Sequence, residues 1–387
     1  MREYLLVFLV AAAATYLLTV IAREFALRTR AVAQVRDRDV HDEPIPYLGG
    51  IAMMGGLVAA YLVARELPFL SEDPYVFVQA RAVILAGAVI CAVGVLDDIF
   101  DLDALTKFGG QCLAAGILVW QGVQYTFFPQ PSGGTLSLDL TQGGLLTVLV
   151  VVSTVNAVNF VDGLDGLAAG VVGMGALAWF AFCYVLTSRN DLSLATSGAL
   201  LGAALAGVCA GFLVHNFHPA RLFMGDSGSM LLGLVLAAST IALTGQLNAD
   251  ELTGVNGNLV LLPILLPLSI LMIPLADMGL AIFRRTREGR SPFAPDKQHL
   301  HHRMLEFGHS HRRAVLVMWL WAGLIAWSIV LLSLFSGRTV WIGFGAMCVI
   351  AAFLTFLLPR VHKPSLVARD DPEGTVEQQQ EEPLPGL

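Results

Sequence analysis

Runs of about twenty apolar residues, one after another, leave this chain few ways to fold. Of its 387 residues, 56% are hydrophobic and only 14% are charged, against about 25% charged in a soluble domain. In a bilayer each backbone N–H and C=O must be satisfied within the protein, so such runs become helices. They predict eleven spans, at 3–22, 46–64, 80–97, 105–121, 143–159, 164–187, 194–215, 228–246, 258–283, 314–335 and 339–359. The 38 glycines suit close packing of such helices. The expected class is an all-α polytopic membrane protein. One connection, 122–142, is long enough for a small hairpin, with arms Tyr125 to Phe128 and Thr135 to Leu140 and a turn from Pro131 to Gly134.

Five polar clusters interrupt the apolar sequence: Asp97 to Asp101, Asn156 to Asp165, Asn216 to Asp226, Arg284 to Arg290, and His299 to Arg303. With the N-terminus outside and the spans alternating, all five share the cytoplasmic face. The basic residues agree. That arrangement puts 18 of the 23 Lys and Arg inside: five in 23–45, Lys107, Arg221, eight in 284–313 and three in the tail. Such asymmetry sets orientation through the positive-inside rule. The C-terminus is then cytoplasmic, and the hairpin at 122–142 is external.

The net charge of −7 carries no nucleic-acid signal, because six of the acids lie after residue 369. That Glu-, Gln- and Pro-rich stretch makes 361–387 an expected disordered tail on a membrane domain of residues 1–360. Five scattered cysteines without a C-x-x-C pair speak against a disulfide framework or a zinc site. The first run is followed by Arg23 and lacks a convincing cleavage site, so it reads as a span rather than a signal peptide. A secondary transporter would place acids near the bilayer midplane and show inverted repeats. Here the acids sit at span ends, Asp277 excepted, and no such repeat is visible.

Residues three or four apart share a helix face, so Asp97 and Asp98 can each converge with Asp101. Carboxylates this close repel unless a cation joins them. Mg²⁺ is commonly held by one or two carboxylates plus a substrate phosphate. The plainer alternative, a solvated helix end, places acids where the helix dipole disfavours them. Asn156, Asn159, Asp162 and Asp165 recur at a spacing of three, and Gly163 and Gly166 suggest a chain break near Asp162. Asp162 also suits an N-cap of the sixth span, and Asp226 an N-cap of the eighth. Phe223 offers either an interfacial ring or a stacking face for a base. Arg284 and Arg285 are explained by topology. Neutral histidines such as His299, His301 and His302 are not, and phosphate contact is the better reading for them.

Five ordered strings carry a family resemblance. They are His-Asp-Glu-Pro-Ile-Pro-Tyr-Leu-Gly-Gly at 41–50, Leu-Asp-Asp-Ile-Phe-Asp-Leu at 96–102, Asn-Ala-Val-Asn-Phe-Val-Asp-Gly-Leu-Asp-Gly-Leu-Ala at 156–168, Asn-Phe-His-Pro-Ala-Arg-Leu-Phe-Met-Gly-Asp at 216–226, and Pro-Asp-Lys-Gln-His-Leu-His-His-Arg at 295–303. Across residues 1–360 the chain resembles the polyprenyl-phosphate N-acetylhexosamine-1-phosphate transferase superfamily. The resemblance implies an enzyme of the bacterial inner (plasma) membrane that moves a sugar 1-phosphate from a UDP-sugar to a polyprenyl phosphate and releases UMP. It implies Mg²⁺, with Mn²⁺ as a substitute, and a homodimer. Asp97 and Asp98 match the paired aspartates, Asp226 the magnesium aspartate with Asp98 assisting, and His299, His301 and His302 the histidine motif by the transferred phosphate. Asp165, Asn216 and Phe223 match uridine-holding positions. Asn156, Asn159, Asp162 and Arg303 are further candidate substrate contacts. Asp97 is open to three roles: base, orienting group or nucleophile. The His-Leu-His-His-Arg form and the Arg-rich arm before it resemble the branch that uses UDP-GlcNAc. The phospho-MurNAc-pentapeptide translocase of peptidoglycan synthesis is the alternative. The acceptor is expected to be undecaprenyl or decaprenyl phosphate, and the N-terminal strings resemble actinobacterial members, which points to decaprenyl phosphate.

Overall fold

A computed structural model describes residues 1–29, 45–129, 135–190, 195–245, 272, 279, 283–289, 308–335 and 338–356. Its main helices are α1 (Arg2–Thr29), α2 (Gly49–Ala64), α3 (Pro74–Phe100), α4 (Ala104–Trp120), α5 (Leu140–Val161), α6 (Leu167–Asn190), α7 (Ala195–Asn216), α8 (Gly225–Thr244), α9 (His311–Leu334) and α10 (Arg338–Phe356). Among the described residues, eight helices are long and apolar enough to cross a membrane, and α2 and α4 are shorter apolar helices. The protein is a polytopic helical membrane protein. Apart from residues 272, 279 and 283, the span expected at 258–283 lies outside the described residues, as does the tail at 361–387.

The starts of α3, α4 and α5 follow local chemistry. Asp73 caps α3 by accepting the Tyr75 N–H, with Pro74 in the first turn, so α3 starts six residues before the apolar run at 80. Asp103 caps α4, accepting from the N–H of Leu105 and Thr106 and from the Thr106 hydroxyl at 2.6 Å. These bonds hold the Asp103 carboxyl below its ordinary pKa. Asp139 and Gln142 form a capping box at the start of α5. Helix α1 continues past the expected end at 22 to Thr29, and Arg23, Glu24 and Arg28 ride on its polar extension.

Helices α7 and α8 form the middle. They are the most buried of the spans, while α1 and α10 leave most of their surface for lipid. Helix α7 packs on α1 and α6, and α8 packs on α2, α3 and α5. Helix α9 lies along α6. The expected hairpin is present as β1 (Phe127–Pro129) antiparallel to β2 (Thr135–Ser137), with Phe128 opposite Leu136. Its turn at 130–134 lies outside the described residues. The Thr126 N–H donates to the Gly245 carbonyl at 2.8 Å, which ties this end to the C-terminus of α8.

The opposite end of α8 is wedged between two neighbours. A side chain at Gly94 of α3 would run into the backbone of Asp226 and Ser227, and one at Gly50 of α2 into Ser227 and Gly228. Glycine at both positions lets three backbones approach, and this sets the first turn of α8 against the last turn of α3.

Candidate active site

Helix α3 stops because Asp101 adopts a left-handed conformation (φ 49°, ψ 67°) and bonds its N–H to the Asp97 carbonyl. Asp101 is therefore an exposed C-cap, while Asp97 and Asp98 occupy the last helical turn. Carboxylates there oppose the helix dipole and need partners. Asp98 finds them on α8: its Oδ1 accepts from the Asp226 N–H at 2.8 Å and its Oδ2 from the Ser227 N–H at 3.3 Å. A carboxylate from α3 thus caps the N-terminus of α8, and the dipole that α3 disfavours is offset by the one α8 favours.

Asp97 is 6% exposed. Its Oδ1 accepts from the Leu102 N–H at 2.9 Å, and its Oδ2 meets Lys107 Nζ at 2.5 Å. The same ammonium reaches Asp226 Oδ2 at 3.1 Å. Asn159 Nδ2 donates to Asp226 Oδ1 and to Ser229 Oγ, each at 2.9 Å. Four helices, α3, α4, α5 and α8, therefore contribute to one point. Among the described residues the donors around it are carboxylate oxygens without a thiolate or imidazole, which suits a hard divalent cation. Two carboxylates facing one position fit Mg²⁺, which usually keeps waters and phosphate oxygens as its other ligands.

A second group lies where the α5–α6 and α7–α8 connections meet. Asp165 is 2% exposed and pairs with His218 Nδ1 at 2.8 Å while accepting from the Ala220 N–H at 3.0 Å. His218 stacks on His311 of α9, with centroids 4.2 Å apart and planes 15° apart. Ligand atoms of this trio lie within 4.8 Å of one another. Parallel rings direct their in-plane lone pairs side by side, so the two histidines do not converge on one ion. Arg312 donates from Nε to the His218 carbonyl at 3.0 Å.

Asn216 joins the two connections: its Oδ1 accepts from the Gly166 N–H and its Nδ2 donates to the Leu222 carbonyl, both at 3.0 Å. Phe223 is paired through its backbone with Pro46 and Gly49 and packs its ring near Tyr47. Asp162 ends α5 as its C-cap, rather than capping α6, and the chain turns through Gly166 at φ +77° before α6 begins. The expected break near Asp162 is there. Asp162 retains some surface, but burial pushes its carboxyl up to about 8, and the charges of Asp226, Asp98 and Asp165 add to the shift.

Of the sequence candidates, Asp97, Asp98, Asn159, Asp162 and Asp226 come together, and Asp165, Asn216 and Phe223 frame the adjoining connections. Asn156 sits one turn deeper in α5 and is committed to a clamp with Gln111 of α4, donating to its Oε1 at 2.7 Å. His299, His301, His302 and Arg303 lie outside the described residues. Ser229 and His311 are not among the sequence candidates, His218 is legible only as a member of the Asn216 to Asp226 cluster, and Lys107 only as a topological charge. Lys107 has a signal: a single cation in an apolar helix, six residues after Asp101 at the acidic end of α3.

Residues 80–244 match the family model described as glycosyl transferase family 4. The chain is 45% identical over 367 residues to the decaprenyl-phosphate N-acetylglucosaminephosphotransferase of Mycobacterium tuberculosis (strain ATCC 25618 / H37Rv), covering 94% of this chain and 90% of that protein. It belongs to glycosyl transferase family 4. This family 4 member is also 44% identical over 361 residues to the protein of the same name from Mycolicibacterium smegmatis, across 92% of this chain and 89% of that one. A probable undecaprenyl-phosphate N-acetylglucosaminyl 1-phosphate transferase from Bacillus subtilis is 33% identical over 362 residues, 92% of each chain.

Proposed function

We propose that the protein transfers GlcNAc-1-phosphate from UDP-GlcNAc to polyprenyl phosphate, with decaprenyl phosphate as the acceptor, and releases UMP. The observation that carries this reading is similarity over more than nine-tenths of the chain to proteins named for that transfer. The convergence of Asp97, Asp226, Lys107 and Asn159 at one helix-bundle end supports it. In the reaction an acceptor phosphate oxygen attacks the sugar-bearing phosphorus, and the bond from that phosphorus to the bridging oxygen breaks as UMP leaves.

Phosphoryl transfer asks a protein mainly for positioning and charge neutralisation. Mg²⁺, or Mn²⁺ in its place, would be held by Asp226 with Asp97 and would neutralise charge on the leaving phosphate. Asp98 keeps the first turn of α8 in place and so aims Asp226. Asn159 fixes the second oxygen of Asp226. Asp97 orients rather than deprotonates, because its Oδ1 accepts from the Leu102 N–H, its Oδ2 faces the position the cation would take, and a lipid phosphate is already largely dianionic at neutral pH. Asp165, held with His218, and the Asn216-linked connections form the uridine side; the family resemblance assigns His299, His301 and His302 to the transferred phosphate and makes Arg303 a further substrate contact. The charge asymmetry supports a site at the cytoplasmic face of a bacterial plasma membrane, and the family resemblance supports a homodimer.

Purified protein in detergent, given Mg²⁺, decaprenyl phosphate and radiolabelled UDP-GlcNAc, should form a labelled lipid and lose activity with EDTA. The arm from Arg284 to Arg303 resembles the branch that uses UDP-GlcNAc, so UDP-MurNAc-pentapeptide should be rejected. Equal or higher kcat/KM with the pentapeptide donor would overturn the GlcNAc assignment and leave the phosphotransfer chemistry standing.

A further inference from the structure

We propose that Lys107 is an internal counter-cation. In the empty enzyme its ammonium occupies the position between Asp97 and Asp226, and it moves onto a phosphate oxygen when a divalent cation takes that position. The inference rests on the reading above that these carboxylates hold such a cation.

The geometry is specific. Nζ lies 2.5 Å from Asp97 Oδ2 and 3.1 Å from Asp226 Oδ2, one oxygen from each of two helices. Without a cation the two carboxylates would repel across the gap, while the backbone packing at Gly94 and the bonds from Asp98 to the α8 amides hold α3 close to α8. An ammonium there lets the empty site keep its shape.

Position and residue type support the same role. Lys107 falls in the first turn of α4, where a positive charge opposes the helix dipole. A local preference violated inside a well-packed region is a mark of functional placement. The side chain remains 32% exposed although Asp97 beneath it is 6% exposed, so the ammonium has a way out. Lysine is a compact charge on a flexible stem and can swing between partners, whereas a guanidinium would fork across both carboxylates and stay.

The arrangement has a thermodynamic consequence. A divalent cation entering alone must break two ion pairs and endure repulsion from the displaced ammonium. Entering with a phosphate, it leaves the ammonium a new partner. Metal and phosphate therefore bind with positive coupling, and coupling of this kind is reciprocal.

The test is Mn²⁺ binding by the full chain in detergent, read as free Mn²⁺ by electron paramagnetic resonance, with and without UMP. Wild type should bind Mn²⁺ weakly alone and more tightly with UMP. Lys107→Met and Lys107→Gln should each bind Mn²⁺ alone about tenfold more tightly than wild type, within the usual range of coupling, and should gain less from UMP. Lys107→Arg should stay weak. In wild type, Mn²⁺ with UMP should alter reductive methylation of Lys107, measured by mass spectrometry, relative to EDTA. This last measurement needs no variant to fold. If Asp226→Asn loses Mn²⁺ but the neutral Lys107 variants bind it no tighter than wild type, the counter-cation role is overturned and the metal reading survives. Unchanged Mn²⁺ affinity in Asp226→Asn would overturn both. Unchanged Lys107 methylation would also overturn the displacement.

Discussion

Gly225→Ala should disable this enzyme through a collision with one carboxylate. Gly225 sits at φ +68°, in the left-handed region, and a Cβ there would meet Asp98 Oδ1 at 2.7 Å and Cγ at 2.8 Å. The left-handed conformation costs an alanine roughly 1–2 kcal/mol. Asp98 cannot withdraw along α3, because Gly94 is already against Ser227, so its side chain must rotate off the α8 amides. Amide bonds to a charged group contribute roughly 1.5–3 kcal/mol each. Losing one of the two, with the backbone strain, gives about 3–5 kcal/mol of destabilisation. Asp226 is the first residue after the glycine and moves with it, and a displacement of about 1 Å at a reacting centre costs roughly 100-fold in rate. Labelled-lipid formation and thermal unfolding read both effects. A double-mutant cycle with Asp98→Ala isolates the cause: with the carboxylate gone, Gly225→Ala should cost clearly less than it does in wild type. Near-normal turnover of Gly225→Ala, or full additivity with Asp98→Ala, would refute the collision.

Asp226→Asn preserves size and the Asn159 contact but removes charge, and should lower kcat by at least about 100-fold at saturating Mg²⁺; near-normal turnover would remove Asp226 from the metal site. Asp162 holds its proton more tightly folded, near 8, than unfolded, near 3.9. Stability from this group is therefore full below about pH 4 and is lost as pH rises through about 8. Asp162→Asn should raise the Tm at pH 8 in EDTA and flatten its decline from pH 5 to 8, as read by intrinsic fluorescence. On intact cells an impermeant thiol reagent should label Ser137→Cys and spare Ser291→Cys; the reverse pattern would invert the orientation.

Much of this architecture can be read in the linear sequence because lipid imposes one rule on every segment. Apolar runs locate the helices, and Pro and Gly at 131–134 mark a hairpin turn between strands that the structure pairs in register. Asn159 and Asp226 are legible as polar residues at span ends. Their partnership is not, since it depends on α5 and α8 meeting. Lys107 reads locally as a topological charge and a blemish in a short span; its role appears only when α4 is set beside α3 and α8. Asn216 shows the opposite case. Its residue type suits a ligand contact, yet the structure engages both ends of its amide with backbone. The functions of Gly50 and Gly94 depend on the distance of another helix, which no local pattern encodes.

The length of α3 bears on where the chemistry sits in the membrane. It runs 27 residues from Pro74, and Asp97 comes about 35 Å along it at 1.5 Å per residue. Hydrocarbon is about 30 Å thick. A helix entering the hydrocarbon near Pro74 therefore delivers Asp97 a few Å past the far boundary, at the depth of the lipid phosphates. At that level the proposed site would meet the acceptor's headgroup while the tail stays dissolved among the acyl chains. Only the water-soluble nucleotide has to travel, and the product lipid is formed already in the leaflet through which it will diffuse.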